Sequence, residues 1–257
     1  MAADTARSLQ GRVALITGSG RGMGRCHAEL LAERGAAVIV HDVMPEGAEE
    51  TGTLIRDKGG RAHVIVADVA DTTAMAEAIR AGEKALGPVD ILVNNAGIGA
   101  ERTGIEEVTP DWFQRMFDVH VKGAFFATQA VVPGMKSRKR GKIVNVSSIW
   151  GQTGHEYGAT YCAAKAALIG LTKAWAKELA PWNINVNSLA PGAVITELTL
   201  RKGGMDYIRE KSKAVPAGRF AEAVEMAYTV GFLCSGESDF MTGQVISVNG
   251  GQVIVGI

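Results

Sequence analysis

Short apolar runs, each closed by a glycine or acidic turn and followed by an amphipathic stretch, recur along the chain. Val13-Ala14-Leu15-Ile16 is the first, followed at once by Thr17-Gly18-Ser19-Gly20-Arg21-Gly22-Met23-Gly24. A helix then places Cys26, Leu30 and Leu31 on one side and meets Gly35, where a helix end takes up left-handed geometry. Val38-Ile39-Val40-His41 ends on Asp42; Pro45 opens a second helix that runs to Gly59-Gly60. Val64-Ile65-Val66 ends at Ala67-Asp68, a helix covers about Thr72 to Leu86, and Ile91-Leu92-Val93 exits through Asn94-Asn95-Ala96-Gly97. Strands without polar alternation are covered on both faces, so the pattern predicts parallel strands joined by right-handed helical crossovers.

The second half keeps this rhythm with longer helices. Pro110 to about Met135 reads as one helix that must absorb Gly123 and Pro133-Gly134. Ile143-Val144-Asn145-Val146 is strand five, ending on Ser147-Ser148, and an alanine-rich helix carrying Tyr161 and Lys165 closes at Pro181-Trp182-Asn183. Ile184 to Leu189 is strand six, leading into Pro191-Gly192. Residues 193–220 read as irregular or briefly helical, the composition of a functional lid. A helix from Ala221 to Cys234 precedes strand seven, Gln244 to Val248. Residues 1–257 therefore read as a single α/β domain, a doubly wound parallel sheet with a substrate lid.

Composition narrows the class. Of 257 residues 47% are hydrophobic and 21% charged, with a net charge of zero, which disfavours a nucleic-acid or anionic-membrane partner. Cys26, Cys162 and Cys234 lack metal-ligand spacing and read as reduced thiols, so no metal is expected. Met1 to Gln10 lacks the layout of a signal peptide and no apolar run reaches membrane-spanning length, so the expectation is a cytoplasmic protein.

Tyr161 and Lys165 lie four apart and share one helix face. An ammonium beside a phenol favours the phenolate, making Tyr161 a candidate acid/base, with Ser148 delivered from the strand end to hold a substrate oxygen. In the glycine turn, Gly18 permits the bend, Gly22 opens backbone N–H groups to a pyrophosphate, and Gly24 allows close helix–sheet approach. Asp42 is placed to accept from a ribose 2′-hydroxyl. A 2′-phosphate about 4 Å away would be repelled by about 4 kcal/mol per unit pair at an effective dielectric of 20, which favours NAD over NADP. Arg21 is the dissenting residue, able to pair such a phosphate.

Taken together, the chain resembles the short-chain dehydrogenase/reductase family from Gly11 to Gly251. The motifs are Thr17-Gly-Ser-Gly-Arg-Gly-Met-Gly24, Asp68-Val69, Asn94-Asn-Ala-Gly97, Ser148 thirteen residues before Tyr161, Tyr161-x-x-x-Lys165, and Pro191-Gly192 followed by Thr196. The resemblance implies a Rossmann-type sheet of seven strands in the order 3-2-1-4-5-6-7, hydride exchange between nicotinamide and an alcohol or carbonyl, and a homodimer or homotetramer. It further implies that Tyr161 is the acid/base, that Ser148 binds the substrate oxygen, and that Lys165 lowers the Tyr161 pKa and holds the nicotinamide ribose. Ser19, Gly20, Arg21 and Met23 would contribute with their loop, and Asp68 and Val69 would lie at the adenine. Asn95, Ala96 and Gly97 would line the channel, the Val194 backbone and Thr196 would hold the carboxamide, and Pro191 and Gly192 belong to the same cofactor-binding set.

One position departs from the family pattern. His120, three residues before Gly123, stands where an asparagine is usual. It either fills that space or titrates near neutrality and relays protons itself. Trp150, His155, Glu156 and Tyr157 flank the catalytic pair and suggest a wall suited to a polyol or hydroxylated ring. The basic run Lys136 to Lys142 raises the alternative of a 3-oxoacyl-carrier-protein reductase docking an acidic carrier. A cofactor-binding scaffold without turnover is the alternative from another class. The apolar Val253 to Ile257 is a candidate subunit contact.

Overall fold

A computed structural model of the chain describes residues 8–100 and 103–255. Residues 1–7 of the N-terminal segment, and Gly256 and Ile257 of the apolar tail, lie outside the described residues. The apolar runs become β1 (Val13–Ile16), β2 (Ala37–Asp42), β3 (Arg61–Val66), β4 (Ile91–Asn94), β5 (Gly141–Val146) and β6 (Ile184–Pro191). A two-residue ribbon of β7 (Val194–Ile195) and β8 (Ala221–Glu222) comes next, before the last strand, β9 (Val245–Val248). The large sheet has seven strands, all parallel, in the order β3-β2-β1-β4-β5-β6-β9. This is the expected order, with the seventh strand of the sheet coming ninth in the chain.

The unbroken apolar strands are explained by two cores. Val13, Leu15 and Ile39 face one and Ala14, Ile16, Val38 and Val40 the other, so both faces of the central strands β1 and β2 are covered. The crossover helices are α1 (Gly22–Glu33), α2 (Pro45–Asp57) and α3 (Thr72–Leu86). Asp71 caps α3 by accepting from Thr73 N and Ala74 N at 3.1 and 3.0 Å. The segment expected as one helix from Pro110 divides into α4 (Pro110–Phe117), a π turn (Asp118–Lys122) and α5 (Gly123–Arg138). A Cβ on Gly123 would lie 2.8 Å from Val69 Cβ, so glycine lets the chain pass the strand exit just where the π turn ends. After α6 (Trp150–Thr153), α7 (Ala159–Leu179) ends as expected, with Asn183 left-handed at φ 56°. The lid is more ordered than its composition suggests. It holds α8 (Glu197–Leu200) and α9 (Gly204–Ser212) around a small core of Ile208, Val215 and Phe220, before α10 (Ala223–Cys234).

Candidate functional site

Strand order reverses at β1, whose neighbours β2 and β4 carry crossovers on opposite sides, and a crevice opens at their C-terminal ends. A cleft of about 350 Å³ lies there, walled by Gly18, Arg21, Gly22, Met23 and Gly24 of the first turn. Gly18 and Gly22 are left-handed, at φ 63° and 56°. A Cβ on Gly24 would sit 2.1 Å from Gly18 O and 2.5 Å from Asn95 Nδ2, so only glycine lets α1 start against its own loop. Ser19 is wholly buried and donates to Ile16 O, while Gly20 touches the carboxylate of Asp42.

At one end of the cleft, Asp42 accepts from Gly20 N at 2.9 Å and from Met44 N at 3.0 Å. Each oxygen keeps a lone pair, so the fixed carboxylate can still accept a diol hydroxyl. Arg21 lines the same cleft. Asp68 and Val69 form the neighbouring wall. The Asp68 carboxyl is held below its ordinary range: burial opposes this, but the Ala70 N–H and the Arg115 guanidinium, 2.9 Å away, outweigh it. Arg115 has no counterpart in the sequence reading; a partner 47 positions away leaves no local signal. Nor did the sequence single out His41. Its Nδ1 accepts from Gly18 N at 3.3 Å and its Nε2 meets Ala67 O at 3.1 Å, which assigns the neutral tautomer that props up the glycine turn.

Across the sheet, Asn95 donates from Nδ2 to Thr17 O and Gly18 O at 2.9 Å each, tying the end of β4 to the glycine turn. Ala96 and Gly97 continue this wall, and Thr196 closes the cleft opposite. Thr196 caps α8 reciprocally with Thr199, whose hydroxyl also donates to Val194 O at 3.0 Å. The Thr-x-x-Thr spacing was a legible signal for that cap.

Ser148, Tyr161 and Lys165 come together between β5 and α7. Ser148 and Lys165 are buried, and Ser148 makes a side-chain hydrogen bond with Tyr161. Lys165 Nζ donates to Val146 O at 2.9 Å and stands 5.6 Å from the Tyr161 ring centre. Burial opposes the lowering of the phenol pKa expected of Lys165. Burial pushes Tyr161 up to about 12, with the Ser148 hydrogen bond pulling the other way, and burial lowers Lys165 to about 7. A Cβ on Gly151 would lie 2.7 Å from Lys165 C, so this glycine lets α6 seat against α7 at the lysine.

His120 is buried on the π turn, its ring edge-on to Tyr161 with centres 5.5 Å apart. Burial first, then the Lys165 charge, holds it well below its ordinary pKa. This opposes the alternative in which His120 titrates near neutrality. Its Nε2 contacts both Ile98 N, at 3.1 Å, and Ile98 O, at 3.0 Å, while Nδ1 has no partner among the described residues.

A second cavity, of about 360 Å³, lies under the lid. Trp150, His155, Glu156 and Tyr157 form one side, with Gly192 and Val194 at its base. Trp150 packs on His155 with ring centres 3.9 Å apart and reaches Tyr161 at 5.9 Å, linking this cavity to the catalytic pair. Tyr157 is held left-handed at φ 57°. Pro191 ends β6, and its carbonyl accepts from Ile149 N at 3.1 Å. Elsewhere the three cysteines are free, and the described residues contain no group of three potential metal ligands and no helix long and apolar enough to cross a membrane.

A family model described as short chain dehydrogenase matches residues 12–204. The chain belongs to this family. Among its short-chain dehydrogenase relatives, a 3-oxoacyl-[acyl-carrier-protein] reductase of Thermotoga maritima is 39% identical over 96% of this chain and 99% of that protein. A 3-oxoacyl-[acyl-carrier protein] reductase from Brucella melitensis with bound NAD is 36% identical, with a TM-score of 0.89 over 98% of this chain and 95% of that one. A gluconate 5-dehydrogenase from Burkholderia cenocepacia, in complex with NADP and tartrate, is 38% identical, with a TM-score of 0.90 over 96% and 98%.

The basic run Lys136 to Lys142 is largely committed inside the molecule. Lys136 pairs with Glu178 at 3.5 Å, Arg138 and Arg140 reach the buried Asp90 at 3.5 and 2.8 Å, and Lys142 reaches Asp239 at 2.7 Å. These intramolecular pairs take up four of the run's five basic side chains, with Lys139 outside them.

Proposed function

We propose that the chain is an NAD-dependent oxidoreductase acting between a secondary alcohol and its ketone on a small substrate, a polyol or hydroxylated ring, with Tyr161 as acid/base. The juxtaposition of Ser148 and Tyr161 beside a cleft whose far end is fixed by Asp42 carries this reading. The first cleft suits a nicotinamide dinucleotide: the Gly24 position admits no side chain, the α1 N-terminus faces the cleft, and Asp42 offers a diol acceptor. When bound, the nicotinamide supplies the hydride-exchanging carbon. Ser148 donates a hydrogen bond to the substrate oxygen, and Tyr161 gives that oxygen its proton on reduction or removes it on oxidation. Lys165, beside the phenol, favours its ionised form and would hold the nicotinamide ribose hydroxyls, and the His120 ring packs edge-on against Tyr161. Assembly into a homotetramer or dimer, and a cytoplasmic setting, belong to the same proposal; exposed Phe125 and Phe126 on α5 offer an apolar face for assembly.

A carrier-linked 3-oxoacyl reductase is the second reading, favoured by the Thermotoga relative. The internal pairing of the basic run and the position of Asp42 speak for the small-molecule reading. The test is a screen of polyols, sugars, secondary alcohols and 3-hydroxyacyl thioesters with NAD, repeated with NADP. Turnover of small alcohols with NAD is expected. Turnover confined to thioesters with NADP overturns the proposal, and tight NADH binding without consumption across the panel points to the silent scaffold.

A further inference from the structure

The wall of the second cavity opposite Trp150 is supplied by the lid, and it carries charge. Lys202, just past the end of α8, and Lys211, on α9, both line the cavity. Neither side chain makes an ion pair or hydrogen bond among the described residues. The nearest acids in sequence are committed elsewhere: Asp206 pairs with Arg209 at 2.8 Å and Glu210 with Lys213 at 2.6 Å. Glu156 is the one acid on the cavity wall, and it pairs with neither lysine.

We propose that this cavity is a subsite for a negatively charged group on the substrate, a carboxylate held by Lys202 and Lys211 while the reacting carbon lies on the Trp150 side. It rests on the proposed oxidoreductase reading and narrows its substrate class to hydroxy and oxo acids. Two lysines without side-chain partners, lining a cavity of ligand size, raise the local concentration of anions. The Trp150–His155 stack gives the carbon skeleton an apolar surface opposite. A substrate bridging both walls has its acid at the lid, so binding it draws α8 and α9 towards the catalytic pair. A phosphate on a pantetheine arm offers the same charge, and the experiment separates the two sources.

The test uses the NADH-loaded enzyme with 4-oxocyclohexanecarboxylate and its methyl ester. It adds 3-oxobutanoyl thioesters of N-acetylcysteamine and of 4′-phosphopantetheine. Reduction is followed by NADH absorbance, and binding of cyclohexanecarboxylate against its methyl ester by calorimetry. The acid is expected to exceed the ester by about tenfold in both kcat/KM and binding, the size of a charge-assisted hydrogen bond. Lys202→Met and Lys211→Met are each expected to collapse that ratio, chiefly through KM, and added salt to shrink it. Equal binding of acid and ester, or a ratio unmoved by both variants, overturns the subsite. A preference confined to the phosphorylated thioester overturns the carboxylate in favour of the pantetheine arm. Absence of any NADH consumption counts against the proposed reaction, and the calorimetric ratio still decides the subsite.

Discussion

His120 Nε2 lies 3.1 Å from the amide nitrogen of Ile98 and 3.0 Å from its carbonyl oxygen. Protonated, Nε2 donates to the carbonyl; unprotonated, it accepts from the N–H. Both neutral tautomers are satisfied by one residue, so the ring stays anchored whichever nitrogen carries the proton. The pairing holds the ring through Nε2 and leaves Nδ1 as the nitrogen that would exchange a proton in a relay.

The corresponding comparison is His120→Asn against His120→Phe. Asn is expected to keep kcat within a few-fold, whereas Phe lowers it about tenfold and alters the pH–rate profile, within the range of assisted proton transfer. Full activity and an unchanged profile in the Phe variant would end the relay idea.

Asp42→Ser is expected to move cofactor preference towards NADP by about tenfold or more, since it removes a repulsion of about 4 kcal/mol per charge pair at 4 Å and a dielectric of 20. Steady-state kcat/KM with both cofactors measures it, and an additional Arg21→Ala should reverse part of the gain. Unchanged preference in Asp42→Ser would remove the argument for NAD.

Tyr161→Phe should lower kcat by about 10²–10⁴ while leaving NADH binding near wild type, because the phenol acts on substrate oxygen. Lys165→Met should weaken both, since the ammonium serves the catalytic phenol and the cofactor side together. Fluorescence titration with NADH separates the two variants.

His27 supplies a stability prediction. It is fully buried on α1 with both ring nitrogens unpartnered among the described residues, and burial lowers its pKa to about 3. The unfolded chain takes up its proton near pH 6.5, the folded one only near pH 3, so this contribution to stability falls as pH drops through that window. By pH 4.5 the loss is on the order of 3 kcal/mol. His27→Leu should flatten the acid limb in urea unfolding at pH 7.5 and 4.5; an unchanged limb would place the acid sensitivity elsewhere.

The chain's local pattern determined the strands, their parallel pairing and most helix ends, while their order followed from the family resemblance. Apolar runs, Pro45, Gly35 and Asn183 act through backbone and burial preferences that each segment carries by itself. Spacing within one strand–helix unit likewise made Ser148, Tyr161 and Lys165 readable, since four residues on a helix always share a face. Tertiary packing decided the rest. The break at the π turn, the Arg115–Asp68 pair, the His41 prop and the Lys165 contact with Val146 join positions far apart in the chain. The protonation of the catalytic group belongs here too. Sequence places an ammonium beside a phenol, but burial acts on both charges and sends Lys165 down to about 7 and Tyr161 up to about 12. Desolvation is set by everything packed around a group, and no local spacing encodes it.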